Sequence, residues 1–179
     1  MADSNGYLAT RPGRRRFCAS LGALVLLGGC SPEFDWREVR STDGRFVVQF
    51  PARWRTEERP LAGGGGSMQL LHARAADTLF AVGWAEVPPA LLAQRMDEWQ
   101  RALSGNVGAS GQPAEVQPLP GGGRAIVADG RVGDTAVRLR LRLLPSGSRL
   151  YQLAVLGPRD AVPEDEWRAF FDSFRVLPG

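Results

Sequence analysis

The sequence predicts an α+β protein, a mostly antiparallel sheet of seven or eight strands covered by helices in an α/β/α type of sandwich. Three observations lead there. From Glu115 onward, short apolar runs are separated by tight glycine-bearing turns, the pattern of a strand meander. Two stretches, after Pro88-Pro89 and after Pro163, carry apolar residues at helical spacing instead. The run from Leu150 to Leu156 is apolar at every position but Gln152, so it needs cover on both faces.

The chain begins with a stretch of a different kind. Arg14-Arg15-Arg16 precedes an apolar run from Leu21 to Leu27 and then Leu27-Gly28-Gly29-Cys30, the layout of a secretory signal peptide ending in small residues. The run is far shorter than the roughly 20 apolar residues of a membrane span and is broken by Gly28, Gly29 and Ser31-Pro32. Residues 1–29 are therefore read as a signal, residues 30–35 as anchor and short tether, and residues 36–179 as one globular domain. Leu27-Gly28-Gly29-Cys30 resembles the lipobox of bacterial lipoproteins, which implies lipid, palmitate among it, on the sulfur of Cys30 and a membrane partner reached through that anchor. Arg14-Arg15-Arg16-Phe17 resembles the twin-arginine export motif and fits an ordinary basic leader equally, since Gly13 and Cys18 stand where that motif has other residues. Ser31 in place of Asp implies, by resemblance to Gram-negative lipoproteins, the periplasmic face of the outer membrane.

Charge follows the same division. The chain carries a formal +3, yet four of its 22 basic residues and one of its 19 acids precede Cys30, leaving a neutral domain. The basic balance belongs to the leader, and nucleic acid is not an expected partner. Of the two cysteines, Cys18 leaves with the signal and Cys30 is acylated, so no disulfide is expected. The 149 residues after Cys30 suffice for one core without staple or metal.

Within the domain, Phe46, Val48 and Phe50 alternate along a strand Arg45–Phe50 that follows the turn Asp43-Gly44 and ends at Pro51. Residues 61–67, with four glycines in a row, read as a loop. A phosphate cradle would need a strand before it and a helix after it, whereas Met68–Ala75 and Leu79–Glu86 read as strands. After Pro88-Pro89, Leu92, Met96, Trp99 and Leu103 form one helical stripe, and Gly105 is placed to cap the end. The meander follows, as Glu115–Leu119, Arg124–Val132, Thr135–Leu144 and Arg149–Leu156, with turns at 120–123, 133–134 and 145–148. Pro163 opens the closing helix, with three acids in its first turn where the helix dipole favours them. Trp167, Phe170, Phe171 and Phe174 form its aromatic face.

Two features resemble a known family. Phe46-Val47-Val48-Gln49-Phe50-Pro51 with Trp54 resembles the opening of PsbP-like and DcrB-like domains. Arg149 to Val155, followed by Phe170-Phe171-Asp172-Ser173-Phe174, resembles their closing strand and helix. The resemblance spans about Trp36 to Val176 and implies an antiparallel sheet between helices, a fold shared with a photosystem II extrinsic subunit, a Ran-binding import factor and many bacterial lipoproteins. It implies binding or assembly without catalysis, and it carries over no functional residue.

Candidate chemistry is sparse. His72 is the only histidine and lies in phase with Met68 and Leu70, as a structural strand residue does, and no nucleophile elbow occurs. No enzyme activity, metal or cofactor is expected. The one feature with chemical content is Arg138, Arg140 and Arg142, which alternate with aliphatics and so share one strand face roughly 7 Å apart. They form either an anion-reading face or a solvated, salt-bridged one with Asp129, Asp134 or a covering helix supplying the acids. Two functions follow: a non-catalytic envelope lipoprotein that binds or helps assemble a protein partner, or a carrier of a small apolar or anionic ligand. A cavity between helix and sheet favours the carrier, a flat apolar patch the protein partner.

Overall fold

The computed structural model describes residues 33–61, 66–107, 113–159 and 161–178. The expectations placed on the leader, Cys30, the Gly63–Gly65 run and the loop after Val107 lie outside them.

Among the described residues the fold has ten strands and two main helices. Strands β1 (Arg37–Ser41) and β2 (Phe46–Phe50) precede β3 (Arg55–Pro60), β4 (Ser67–Ala75) and β5 (Thr78–Glu86). Helix α1 (Leu92–Asn106) follows a 3-10 turn at Pro89–Leu91. Then come β6 (Glu115–Leu119), β7 (Gly123–Val132), β8 (Thr135–Ser146) and β9 (Arg149–Pro158), helix α2 (Glu164–Ser173) and the two-residue β10 (Arg175–Val176). Seven strands make one antiparallel sheet in the order β3-β4-β5-β9-β8-β7-β6. The α+β class and the antiparallel sheet are as the sequence predicts, and β9 takes the central place its two-sided apolarity demands.

The cover differs from expectation. The strand expected at Arg45–Phe50 leaves the main sheet and joins β1 and β10 in a second sheet of three, ordered β1-β2-β10. Its place as seventh strand is taken by β3. One face of the main sheet is thus covered by α2 with the small sheet, where Phe46, Val48, Phe50 and Phe170 meet Phe80, Val82, Leu153 and Val155. The other face meets α1 through Met96 and Trp99, which pack with Leu70, Ala81, Leu141 and Ala154.

Local chemistry sets the connections. Ala76 and Asp77 both have positive φ (48° and 57°) in the two-residue link between β4 and β5, the geometry that matches strand twist. The turn Gly133-Asp134 is also two residues, with Gly133 at φ 59°. The turn expected at 145–148 shrinks to Gly147-Ser148, because the ladder continues through the Pro145–Leu150 and Ser146–Arg149 pairs. Gly105 does not cap α1: the helix passes through it and ends at Val107, which buries its side chain instead.

Phe34, read from the sequence as tether, packs against the core beside Trp36 and Phe80. The Trp36 indole N–H donates to Glu166 on α2 (3.0 Å). The Asp35 amide donates to the Pro51 carbonyl (2.7 Å).

Candidate functional site

The three arginines of β8 point to the α2 side of the sheet, since their aliphatic neighbours Leu139, Leu141 and Leu143 all pack on the α1 side. They line a groove of about 460 Å³ between α2 and strands β6 to β8, with Gln117, Val127, Glu164, Trp167 and Phe171 completing its walls. All three are half-buried.

Each arginine is held differently. Arg138 sits directly opposite Asp129 across the β7–β8 ladder. It grips that carboxylate with two parallel bonds, Nε to Oδ1 at 2.7 Å and Nη2 to Oδ2 at 2.9 Å. Arg159 adds a third contact to Asp129 at 2.5 Å. These hydrogen bonds, that from Arg138 foremost, hold the Asp129 carboxyl below its ordinary pKa although burial works the other way. Arg140 lies over the Trp167 indole, its guanidinium carbon 4.7 Å from the ring centroid. Arg142 lies over Phe171 at 4.8 Å and also reaches Asp172 at 3.2 Å. Stacking of this kind is worth ~0.5–1 kcal/mol where exposed and more where desolvated. Stacking engages the face of a guanidinium and not the planar edge that carries its N–H donors.

Arg138 forms an ion pair with Asp129 on the neighbouring strand, and Arg142 one with Asp172 on α2. Asp134 is not among the partners. Its carbonyl accepts instead from Arg131 (2.6 Å). Among the described residues beside the groove, Arg138, Arg140, Arg142, Arg159 and Arg168 stand with Asp129, Asp172 and Glu164, the last paired with Arg168. What the sequence reading missed is the aromatic floor. Trp167 and Phe171 read as helix core, and Phe171 is buried, but Trp167 is only half-buried and turns an indole face to Arg140.

His72 stands on β4 between Arg55 and Ala81, on the opposite sheet face, with its Nε2 3.7 Å from Glu57. It does not join the arginine groove. Among the described residues no group of three or more His, Cys, Asp or Glu could hold a metal ion, and no helix is long and apolar enough to cross a membrane.

No protein-family model matches this chain, and no curated protein does. Among solved structures it is similar to the cyanobacterial PsbP (CyanoP) of Synechocystis sp. PCC 6803, at 14% identity and a TM-score of 0.49 over 87% of this chain and 100% of that one. It is also similar to a protein of Bacteroides thetaiotaomicron VPI-5482, at 11% identity and a TM-score of 0.48 over 79% of this chain. There the match covers 48% of the other chain, so this chain spans about half its length. At such overlap neither carries an argument, and the α+β architecture rests on the chain's own strands and helices.

Proposed function

We propose that the chain is a non-catalytic lipoprotein of the cell envelope that binds or helps assemble a protein partner, gripping an acidic segment of it in the groove between α2 and β6 to β8. The observation that carries this reading is the pair of guanidiniums laid on aromatic rings in an open groove, Arg140 on Trp167 and Arg142 on Phe171. Arginine and tryptophan are the residues most enriched where protein interfaces concentrate their binding energy, and a stacked guanidinium presents its donors in the plane a carboxylate needs.

The envelope assignment rests on the leader. Arg14 to Arg16, the apolar run and Leu27-Gly28-Gly29-Cys30 support export and lipid attachment at Cys30, and Ser31 supports the periplasmic face of the outer membrane. Because Phe34 is packed on the core, the covalent reach from Cys30 to the domain is at most about 14 Å, so an anchored domain would ride close to the lipid.

Crosslinking and pull-down of the intact lipoprotein from its own membrane tests this, with wild type beside Arg140→Gln/Arg142→Gln. A discrete protein should be captured by the wild type, be released by raised salt, and be absent from the double variant. Crosslinks to lipid alone, or a protein held equally by both forms, refute the groove as its binding surface. The second reading, a carrier, is favoured by a cavity on the other face of the sheet.

A further inference from the structure

We propose that the cavity between the C-terminal end of α1 and the main sheet binds a straight-chain amphiphile, with its anionic head on Arg74 and a hydroxyl or amide group along its chain on Gln152. This site lies on the α1 face, away from the arginine groove, and does not depend on how that groove is used.

The cavity measures about 290 Å³, at the lower end of small-molecule pockets. Its walls are apolar: Leu70, Leu79 and Leu156 from the sheet, Leu139 from β8, and Leu103 and Val107 from α1. Such walls ask for an apolar body. Two polar groups then define its ends. Gln152 is the one polar residue in the central strand's apolar run and is only 7% exposed, and it lines the cavity. An amide set among aliphatic side chains is the kind of single polar group that orients a ligand in an otherwise apolar pocket. A hydroxyl or amide on a ligand in the cavity can hydrogen-bond to it.

Arg74 is exposed at the mouth, and no described carboxylate lies within ion-pair distance of it. Register places the two groups. Arg74 pairs with Leu79, and Leu79 with Leu156, while Gln152 pairs with Gly83. Leu79 to Gly83 on β5, and Gln152 to Leu156 on β9, are each four residues along a strand, about 13 Å. His72 and Ala81 occupy the row between. The cavity is thus an apolar slot running along the strands, with a cationic group at one end and an amide at the other. Arg59, the remaining cation on its lining, is already paired with Glu57 (3.0 Å).

Titration calorimetry of the full chain with decanoate, ω-hydroxydecanoate and decanol tests the assignment. The hydroxy acid should bind most tightly, decanoate more weakly and decanol weakest. Arg74→Gln should weaken both acids by at least about tenfold and leave decanol unchanged, the loss expected of a charge-assisted contact. Gln152→Leu should abolish the preference for the hydroxylated acid while leaving the melting temperature nearly unchanged, because it replaces one side chain of the cavity wall by an apolar one of similar size. No heat with any of the three overturns the proposal. So does decanol binding as well as the acids, or an unaltered hydroxyl preference in Gln152→Leu.

Discussion

Phe170 should be the side chain this domain can least spare. It is fully buried on α2 and meets the rings of Phe50 (5.5 Å), Phe80 (5.4 Å) and Phe171 (5.5 Å). It therefore ties three layers together: the small sheet through Phe50, the main sheet through Phe80, and the helix itself. Phe170→Ala removes the transfer energy of the ring and leaves a cavity bounded by three other rings, which cannot collapse without moving two elements. Phe→Ala in a core costs ~3–5 kcal/mol, against a total of ~5–15 for a domain of this kind. With a urea slope of ~2 kcal/mol/M, a loss of ~4 kcal/mol lowers the midpoint by about 2 M at unchanged slope. Urea unfolding followed by tryptophan fluorescence and by far-ultraviolet circular dichroism measures it. Trp167→Ala is the internal control, since that side chain is only partly buried, lines the groove, and should cost less to lose. A Phe170→Ala protein within about 0.5 M of wild type, or a Trp167→Ala protein worse than Phe170→Ala, would show that α2 does not hold the layers together as argued.

Cys30→Ala should abolish palmitate incorporation and membrane retention, since the thiol is the proposed acyl acceptor; equal labelling of both forms sinks that assignment. The Asp129 carboxyl, held low by Arg138 and Arg159, contributes stability that is fully present above its unfolded value near 3.8 and is lost as pH falls through the lower folded value. Asp129→Asn should therefore be less stable than wild type at neutral pH, with a gap that closes below about pH 3.8, as acid titrations of the melting temperature would show. Gly157→Ala should destabilise without touching the polar groups of the arginine groove or of the α1-side cavity, because a Cβ there would fall 2.1 Å from the Thr78 Oγ1 and 3.1 Å from the Thr78 Cα. Thr78 is 1% exposed and has nowhere to retreat, so an unchanged midpoint would mean the β5–β9 contact is looser than it looks.

How much of this was legible from the residues alone depends on the range of the physics involved. Strand and helix identity is written in local periodicity, which is why β4, β5, the meander and both helices fall within a few residues of where the sequence puts them. Alternation at period two puts Arg138, Arg140 and Arg142 on one face whatever the strand pairs with. Apolarity on both faces likewise requires β9 to lie inside the sheet. These are one-strand arguments and need no partner.

Which partner each element meets is another matter. Arg-Thr-Glu-Glu-Arg-Pro forms edge strand β3 with no apolar face at all, because pairing with β4 supplies the hydrogen bonds and solvent takes the side chains. Nothing local distinguishes Phe46–Phe50 as a strand of a second sheet. That follows from α2 and the main sheet leaving room above Phe80 and Val82 for Phe46, Val48 and Phe50. Register sets Arg138 opposite Asp129 and Arg74 four residues from the row of Gln152. The docking of α2 alone brings Trp167 beneath Arg140. Contacts between groups far apart in the chain depend on the summed packing of every layer, so the sequence determined which faces exist, and only the tertiary structure decided what each face holds.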